Sequence, residues 1–370
     1  MIRTKLIPLF CMLTVALAFN SCKVGRFIYY NFADITDYKI FPSRPLHNEG
    51  SKFKFYTSTA GKSPNITQIV KGEKVPFEKY LEDNKTVAFL IIKNDTIQYE
   101  NYFKGYDKTS IVASFSMAKS VVSILIGCAI DDGLIKSVQE PVTNYIPELK
   151  ENGFDKVTIE HLLQMTSGLD FNESYYNPFG DAATYYYGQS LRKNIPKMTL
   201  KRKPGLQYEY ASGNSQLLGL VLEQALKGKT VTAYLQQKLW QPLGMEYDAS
   251  WSIDKKNDGL EKTFCCINAR ARDFAKIGRL YLNNGNWNGK QIVSKNWVKQ
   301  STKVDTANGS AAHYQYQWWL PSKTGDFMAQ GILGQYIYVN PAKKLIIVRL
   351  GTSVGKTNWR SAFAQIAKGY

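Results

Sequence analysis

Histidine is nearly absent from this chain: only His47, His161 and His313 occur in 370 residues. His47 falls in a stretch punctuated by proline and glycine. His161 sits inside a short apolar helix pattern, where a core or capping role fits it. No G-x-S-x-G elbow is read, so a Ser-His-Asp hydrolase is disfavoured. Cysteine is scarce as well. The five cysteines form no C-x-x-C or Cys/His ligand spacing, which argues against a metal centre. Cys265 and Cys266 are chain neighbours, and neighbours rarely form a relaxed disulfide with each other. With Cys128 they read as small buried hydrophobes. Acidic residues are the minority charge, 30 against 47 basic, giving a net charge of +17. The basic residues are scattered and no nucleic-acid module appears, so no nucleic-acid partner is expected. A solvated basic surface is the first reading, and contact with anionic lipid headgroups the second. Beyond the N-terminus no apolar run is long enough to cross a bilayer.

The N-terminus itself is apolar. Arg3 and Lys5 precede an uncharged run from Leu6 to Phe19, followed by Asn20-Ser21-Cys22. That order of charge, apolar stretch and small residue reads as a secretory signal over residues 1–21. Cys22 after Ser21 resembles a bacterial lipobox, which implies lipidation of Cys22 and attachment to the cell envelope. A plain signal peptide, or an uncleaved anchor, is the alternative. Residues 22–75 contain Pro42, Pro45, Gly50, Gly61 and Pro64 without a helical period, and read as a lipidated spacer arm. Residues 76–370 read as one catalytic domain.

Within that domain, 87–93 and 96–103 are β-rich runs around Asn94-Asp95, a hairpin pattern. Apolar residues at helical spacing follow Ser116 as far as Asp132. Helices are expected over 216–226, 271–283 and 294–300, and from 360 to 368. Strands are expected over 314–320, 327–331, 335–339 and 345–351. Strands at both ends and helices between them predict an α/β (α+β) fold: one antiparallel sheet assembled from both chain ends, flanked by helices, with an inserted helical region.

Three segments can carry chemistry. Ser116-Met117-Ala118-Lys119 puts a hydroxyl and an amine on one helix face, within about one 5.4 Å turn. A helix start also offers unpaired N–H groups to an oxyanion. A lysine drawn into a cleft loses solvation, and its lowered pKa frees it as a base. Alone, the pattern also fits a capping serine followed by a solvated lysine. Tyr208-Glu209-Tyr210-Ala211-Ser212-Gly213-Asn214 places a phenol on a turn before a helix, where a protonated lysine nearby would lower its pKa. Core packing is the plainer reading of any one of 24 tyrosines. The small-residue run Ala329-Gln330-Gly331-Ile332-Leu333-Gly334 lets a substrate backbone come close, or marks a bulge or turn.

Taken in order, these pieces resemble the serine β-lactamase and penicillin-binding (D,D-peptidase) superfamily. The likeness is closest to the class C-related esterases and 6-aminohexanoate-dimer hydrolases, over roughly residues 85–370. Thr158-Ile159-Glu160-His161, Ala271-Arg272-Asp273-Phe274 and Tyr316-Gln317-Trp318-Trp319 belong to it too. The resemblance implies that Ser116 is the acylated nucleophile, Lys119 its base and Tyr210 a proton-transfer partner. It implies an oxyanion hole from the N–H groups of Ser116 and Ile332. Substrate contacts are expected from Gly331 and Leu333, from Ser212 or Asn214 at the small polar third position, and from Tyr175. No cofactor is implied. The expected partner is a small or peptide-like ester or amide. Lys323-Thr324-Gly325 matches the family's K-T-G but precedes Asp326-Phe327, too early for the cleft strand, which puts β-lactam turnover in doubt. A non-catalytic sensor is the alternative from another class, since fold does not dictate function.

Overall fold

The computed structural model describes residues 23–30, 32–58, 64, 68–70 and 73–370. The signal stretch and Cys22 lie outside them. In chain order, the elements that build the site are α1 (Lys23–Tyr30), β1 (Ser43–Leu46), β2 (Tyr56–Thr57), β3 (Thr86–Lys93), β4 (Thr96–Tyr102), β5 (Val112–Ala113), α2 (Met117–Asp131), α3 (Asp181–Tyr187) and α4 (Ser212–Ala225). They continue as β6 (Ala249–Ser252), β7 (Ile267–Ala269), α5 (Ala271–Leu282), β8 (Tyr314–Gln315), β9 (Trp318–Trp319), β10 (Phe327–Gly331), β11 (Gln335–Asn340), β12 (Leu345–Gly351) and α6 (Trp359–Lys368).

The main sheet has eight strands in the order β8-β9-β10-β11-β12-β3-β4-β2. Every pairing is antiparallel except β2 with β4. The C-terminal strand β12 lies beside the N-terminal β3, so both chain ends meet at mid-sheet. The Asn94–Asp95 turn takes φ of 49° and 60°, the left-handed pair that suits the twist of a two-residue hairpin. Strand β3 is apolar from Val87 to Ile92 because both faces are covered. Ala88, Leu90 and Ile92 join the core under the central helices. Phe89 and Ile91 join a second core under α6 and the helix Phe77–Asp83. β12 alternates likewise, Ile346 and Val348 against Leu345 and Ile347. Helix α5 lies close on the sheet: a Cβ at Gly278 would stand 2.9 Å from Ile337 and 3.0 Å from Ile346.

The inserted region contains α2, buried from Met117 to Ala129, as expected for a helix apolar all round. A smaller four-stranded sheet, β1-β6-β7-β5, braces it. Three expectations change. The 314–320 run is a tight hairpin, β8 and β9, because Tyr316 and Gln317 adopt positive φ. Helix α4 begins at Ser212, four residues before the apolar pattern that suggested it. The arm is not a free spacer over its described parts. Phe27 packs edge-on to Tyr187 at 5.5 Å, Leu46 is fully buried, and β1 pairs with β6.

Candidate active site

Ser116 occupies the N-cap position of α2, yet its side chain makes no capping hydrogen bond. The residue before it, Phe115, is held at φ 44°, which turns the chain sharply into the helix. One turn on, Lys119 is 1% exposed, so the solvated-lysine reading does not hold. Its Nζ lies 3.2 Å from Ser116 Oγ, 3.1 Å from Ser212 Oγ and 2.7 Å from the Phe264 carbonyl oxygen. Burial lowers its pKa from 10.5 to about 8, against an opposing pull from the Glu173 carboxylate. The rings of Tyr210 and Phe264 stand 5.2 Å and 5.7 Å from the same nitrogen.

Tyr210 is hydrogen-bonded to Ser116, but its pKa moves opposite to the sequence expectation. Burial raises it first and Glu173 adds to the rise, outweighing the Ser116 hydrogen bond. The phenol therefore stays protonated and is not a phenolate.

The strand β10 runs directly past Ser116. A Cβ at Gly331 would stand 2.5 Å from the Ser114 carbonyl oxygen and 3.1 Å from Ser116 N, so only glycine fits there. Ile332 follows it, and Leu333 turns at φ 60°. Buried Arg349 holds this turn through the carbonyls of Gly334 at 2.6 Å and Leu333 at 3.4 Å. It meets no carboxylate within ion-pair distance among the described residues, and burial lowers its pKa to about 9.

A cavity of about 810 Å³ opens over these groups. Ser116, Tyr210, Ser212, Tyr175, Gly331, Ile332 and Leu333 all line it. Asn214 does not. Its Oδ1 accepts from Ser167 at 2.5 Å and its Nδ2 faces Met165. Two residues along a helix rotate the side chain by roughly 200°, so Ser212 and Asn214 cannot share the cleft face. Lys323 lies in the turn before β10 and does not line the cavity, whereas Gln330 does. A guanidinium nonetheless stands beside that strand: Arg360 of α6 donates to Gln330 Oε1 at 3.1 Å and stacks on Trp319.

Several site features were not expected. Glu173 accepts from Ser212 N and Ser212 Oγ, both at 2.6 Å, and from the Tyr175 hydroxyl at 2.7 Å. Cys265 and Cys266 are disulfide-bonded, a correction to their reading as separate thiols. Cys266 takes φ 75°, a turn that brings the two side chains of adjacent residues together. The pair follows Phe264, whose carbonyl holds Lys119, and Cys265 lines the cavity. Phe27 and Phe32 line it from the N-terminal segment. Gly351-Thr352-Ser353-Val354-Gly355 does spell G-x-S-x-G. Ser353 lines the cavity, but its hydroxyl accepts from Gly355 N at 3.2 Å and no histidine is among the lining residues. His161 is a capping residue, closing a box with Thr158. No group of three or more His, Cys, Asp or Glu among the described residues could hold a metal ion.

The sequence profile of the β-lactamase family matches residues 77–370. The chain belongs to the β-lactamase family. The 6-aminohexanoate-dimer hydrolase of Paenarthrobacter ureafaciens is 28% identical over 296 residues, 74% of each chain. A Bacillus anthracis structure provisionally named a 6-aminohexanoate-dimer hydrolase superposes with a TM-score of 0.77 at 24% identity, covering 92% of both chains. A Bacillus halodurans penicillin-binding protein gives 0.63 at 17% identity, over 80% of this chain and all of that one. These matches establish a β-lactamase/penicillin-binding fold and a family with relatives named as hydrolases.

Proposed function

We propose that this protein is a serine hydrolase that cleaves an ester or amide through an acyl-enzyme on Ser116, with Lys119 as base. The observation that carries this reading is the buried amine 3.2 Å from the serine oxygen. A lysine with its pKa near 8 can accept a proton at physiological pH, which a solvated lysine cannot. In the first half-reaction Lys119 takes the Ser116 proton as Oγ attacks the carbonyl carbon. The N–H groups of Ser116 and Ile332 hold the resulting oxyanion. Collapse breaks the bond to the alcohol or amine, which leaves with the proton relayed through Tyr210. Water then attacks the acyl carbon by the reverse path, returning the proton to Ser116. Glu173 orients Ser212 and keeps Lys119 from losing its basicity altogether.

The uncharged Gln330 at the cleft strand and the position of Lys323 outside it favour this over efficient β-lactam hydrolysis. Retention of Ser116, Lys119 and Tyr210 around one cavity speaks against a non-catalytic sensor. Export, with lipidation at Cys22, remains part of the proposal on the sequence pattern alone. Incubation with a fluorophosphonate, read by intact mass, tests the hydrolase. The wild type gains one adduct mapped to Ser116 and Ser116→Ala gains none. Equal labelling of both, or turnover of an ester and amide panel by Ser116→Ala, would refute the assignment.

A further inference from the structure

Exposed aromatic and aliphatic side chains lie at the cavity and on the segments that supply its N-terminal lining. Tyr176 is 78% exposed, Phe179 73%, Tyr29 72%, Ile28 63% and Phe32 53%. Phe32 touches Tyr176 ring to ring at 5.6 Å and both line the cavity; Ile28 and Tyr29 are exposed on α1, the helix that contributes Phe27 to the lining, and Phe179 is exposed three residues after Tyr176. Scattered single hydrophobes need no explanation, but a cluster around a catalytic opening does.

The sequence says what covers it. Leu6 to Phe19 carries no charge, and Cys22 immediately precedes α1. From Lys23 to Phe27 the helix rises only about 6 Å. If the chain is anchored through Cys22 or its apolar leader, no spacer separates the bilayer from this rim, because α1 is packed on α3. Even without Arg3 and Lys5 of the leader the chain keeps a net charge of +15, which complements an anionic leaflet.

We propose that this rim seats on an anionic lipid leaflet, and that the cavity takes an ester or amide whose long apolar chain is partitioned in that leaflet. The substrate class rests on the hydrolase reading of Ser116; the docking does not. Phe27, Phe32 and Tyr176 line the same cavity as Ser116, so part of its wall is aromatic. An apolar chain can move along it from lipid to nucleophile without crossing water.

The test uses the full chain in phosphatidylglycerol vesicles and the triple variant Ile28→Ser/Tyr29→Ser/Phe179→Ser, none of whose positions lines the cavity. Turnover of p-nitrophenyl palmitate held in the vesicles is compared with turnover of water-soluble p-nitrophenyl butyrate. The expected result is a palmitate-to-butyrate ratio at least about tenfold lower in the variant, with butyrate turnover unchanged. A nitroxide on Tyr29→Cys is expected to collide more with oxygen and less with a soluble nickel chelate when vesicles are present. An unchanged ratio with a water-exposed nitroxide overturns the proposal and leaves the hydrolase standing. A nitroxide shielded equally without vesicles, in a protein that elutes as a dimer, overturns it in favour of a second copy on the rim. A lipid-buried nitroxide without turnover of either ester sinks the hydrolase and keeps the docking.

Discussion

Three lysines lie out of water among the described residues; Lys276 is ion-paired with Asp273, and of the two without a carboxylate partner only one stands beside a serine hydroxyl. Lys119 and Lys262 are 1% and 0% exposed, and burial lowers their pKa values to about 8 and about 7. Both donate to backbone carbonyls, Lys119 to Phe264 and Lys262 to Tyr185 at 2.9 Å and Tyr186 at 2.8 Å. Lys262 ends there, over the ring of Phe41 at 4.9 Å. Lys119 goes on to reach two hydroxyls at the floor of an open cavity. Desolvation makes an amine available as a base. A hydroxyl within reach is what the proposed chemistry adds, and Lys262 has none.

Substitution should separate the two sharply. Lys119→Ala is expected to lower kcat on the order of 10³-fold or more, read with any ester the wild type turns over. Lys262→Met should leave kcat within about threefold, because it removes no group from the reacting atoms. Comparable losses in both would erase the contrast.

The turn that holds Lys119 gives the next largest effect. Reduction of Cys265–Cys266 by a dithiol, or Cys265→Ser/Cys266→Ser, frees the backbone that fixes the Phe264 carbonyl. Turnover should fall about tenfold, with the acid limb of the pH–rate profile displaced. An unchanged profile in the reduced enzyme would show that the pair is only packing.

Glu173 sharpens the comparison through pH. Activity requires neutral Lys119, so kcat/KM should rise with pH around an apparent pKa of about 8. Glu173 pulls that pKa up, so Glu173→Gln should move the inflection to lower pH. A move to higher pH would mean that the carboxylate acts through Ser212 alone.

The smallest effect is on stability. The folded pKa of Lys262 lies below its ordinary 10.5, so the unfolded chain binds the proton more readily between those values. Its contribution to stability is therefore present at high pH and is lost as pH falls from about 10.5 to about 7. Lys262→Met should flatten that part of the curve of Tm against pH.

Much of this was legible in the chain. Ser116 and Lys119 are one turn apart, and a helix converts that spacing into contact without further information. The β3–β4 hairpin and the strands β10 to β12 were legible for the same reason, since local turns and alternation set them. What was not legible depends on distant partners. Glu173 meets Ser212 across 39 residues, from a loop with no period of its own. Asn214 was misplaced because α4 begins at Ser212, which turns the asparagine toward Ser167. Helix α1 is only eight residues long, too short for its period to announce that Phe27 lines the cavity. The pKa of Tyr210 depends on burial, which no neighbouring residue in sequence reveals.

The most direct measurement is the titration of Lys119 itself, followed by NMR of the isotope-labelled lysine side chain in the resting enzyme. The account predicts a midpoint near 8 that is carried by this residue and is lost in Lys119→Ala. A midpoint at the ordinary 10.5 would contradict it, because the amine would then be charged throughout the working range and could not take the proton from Ser116.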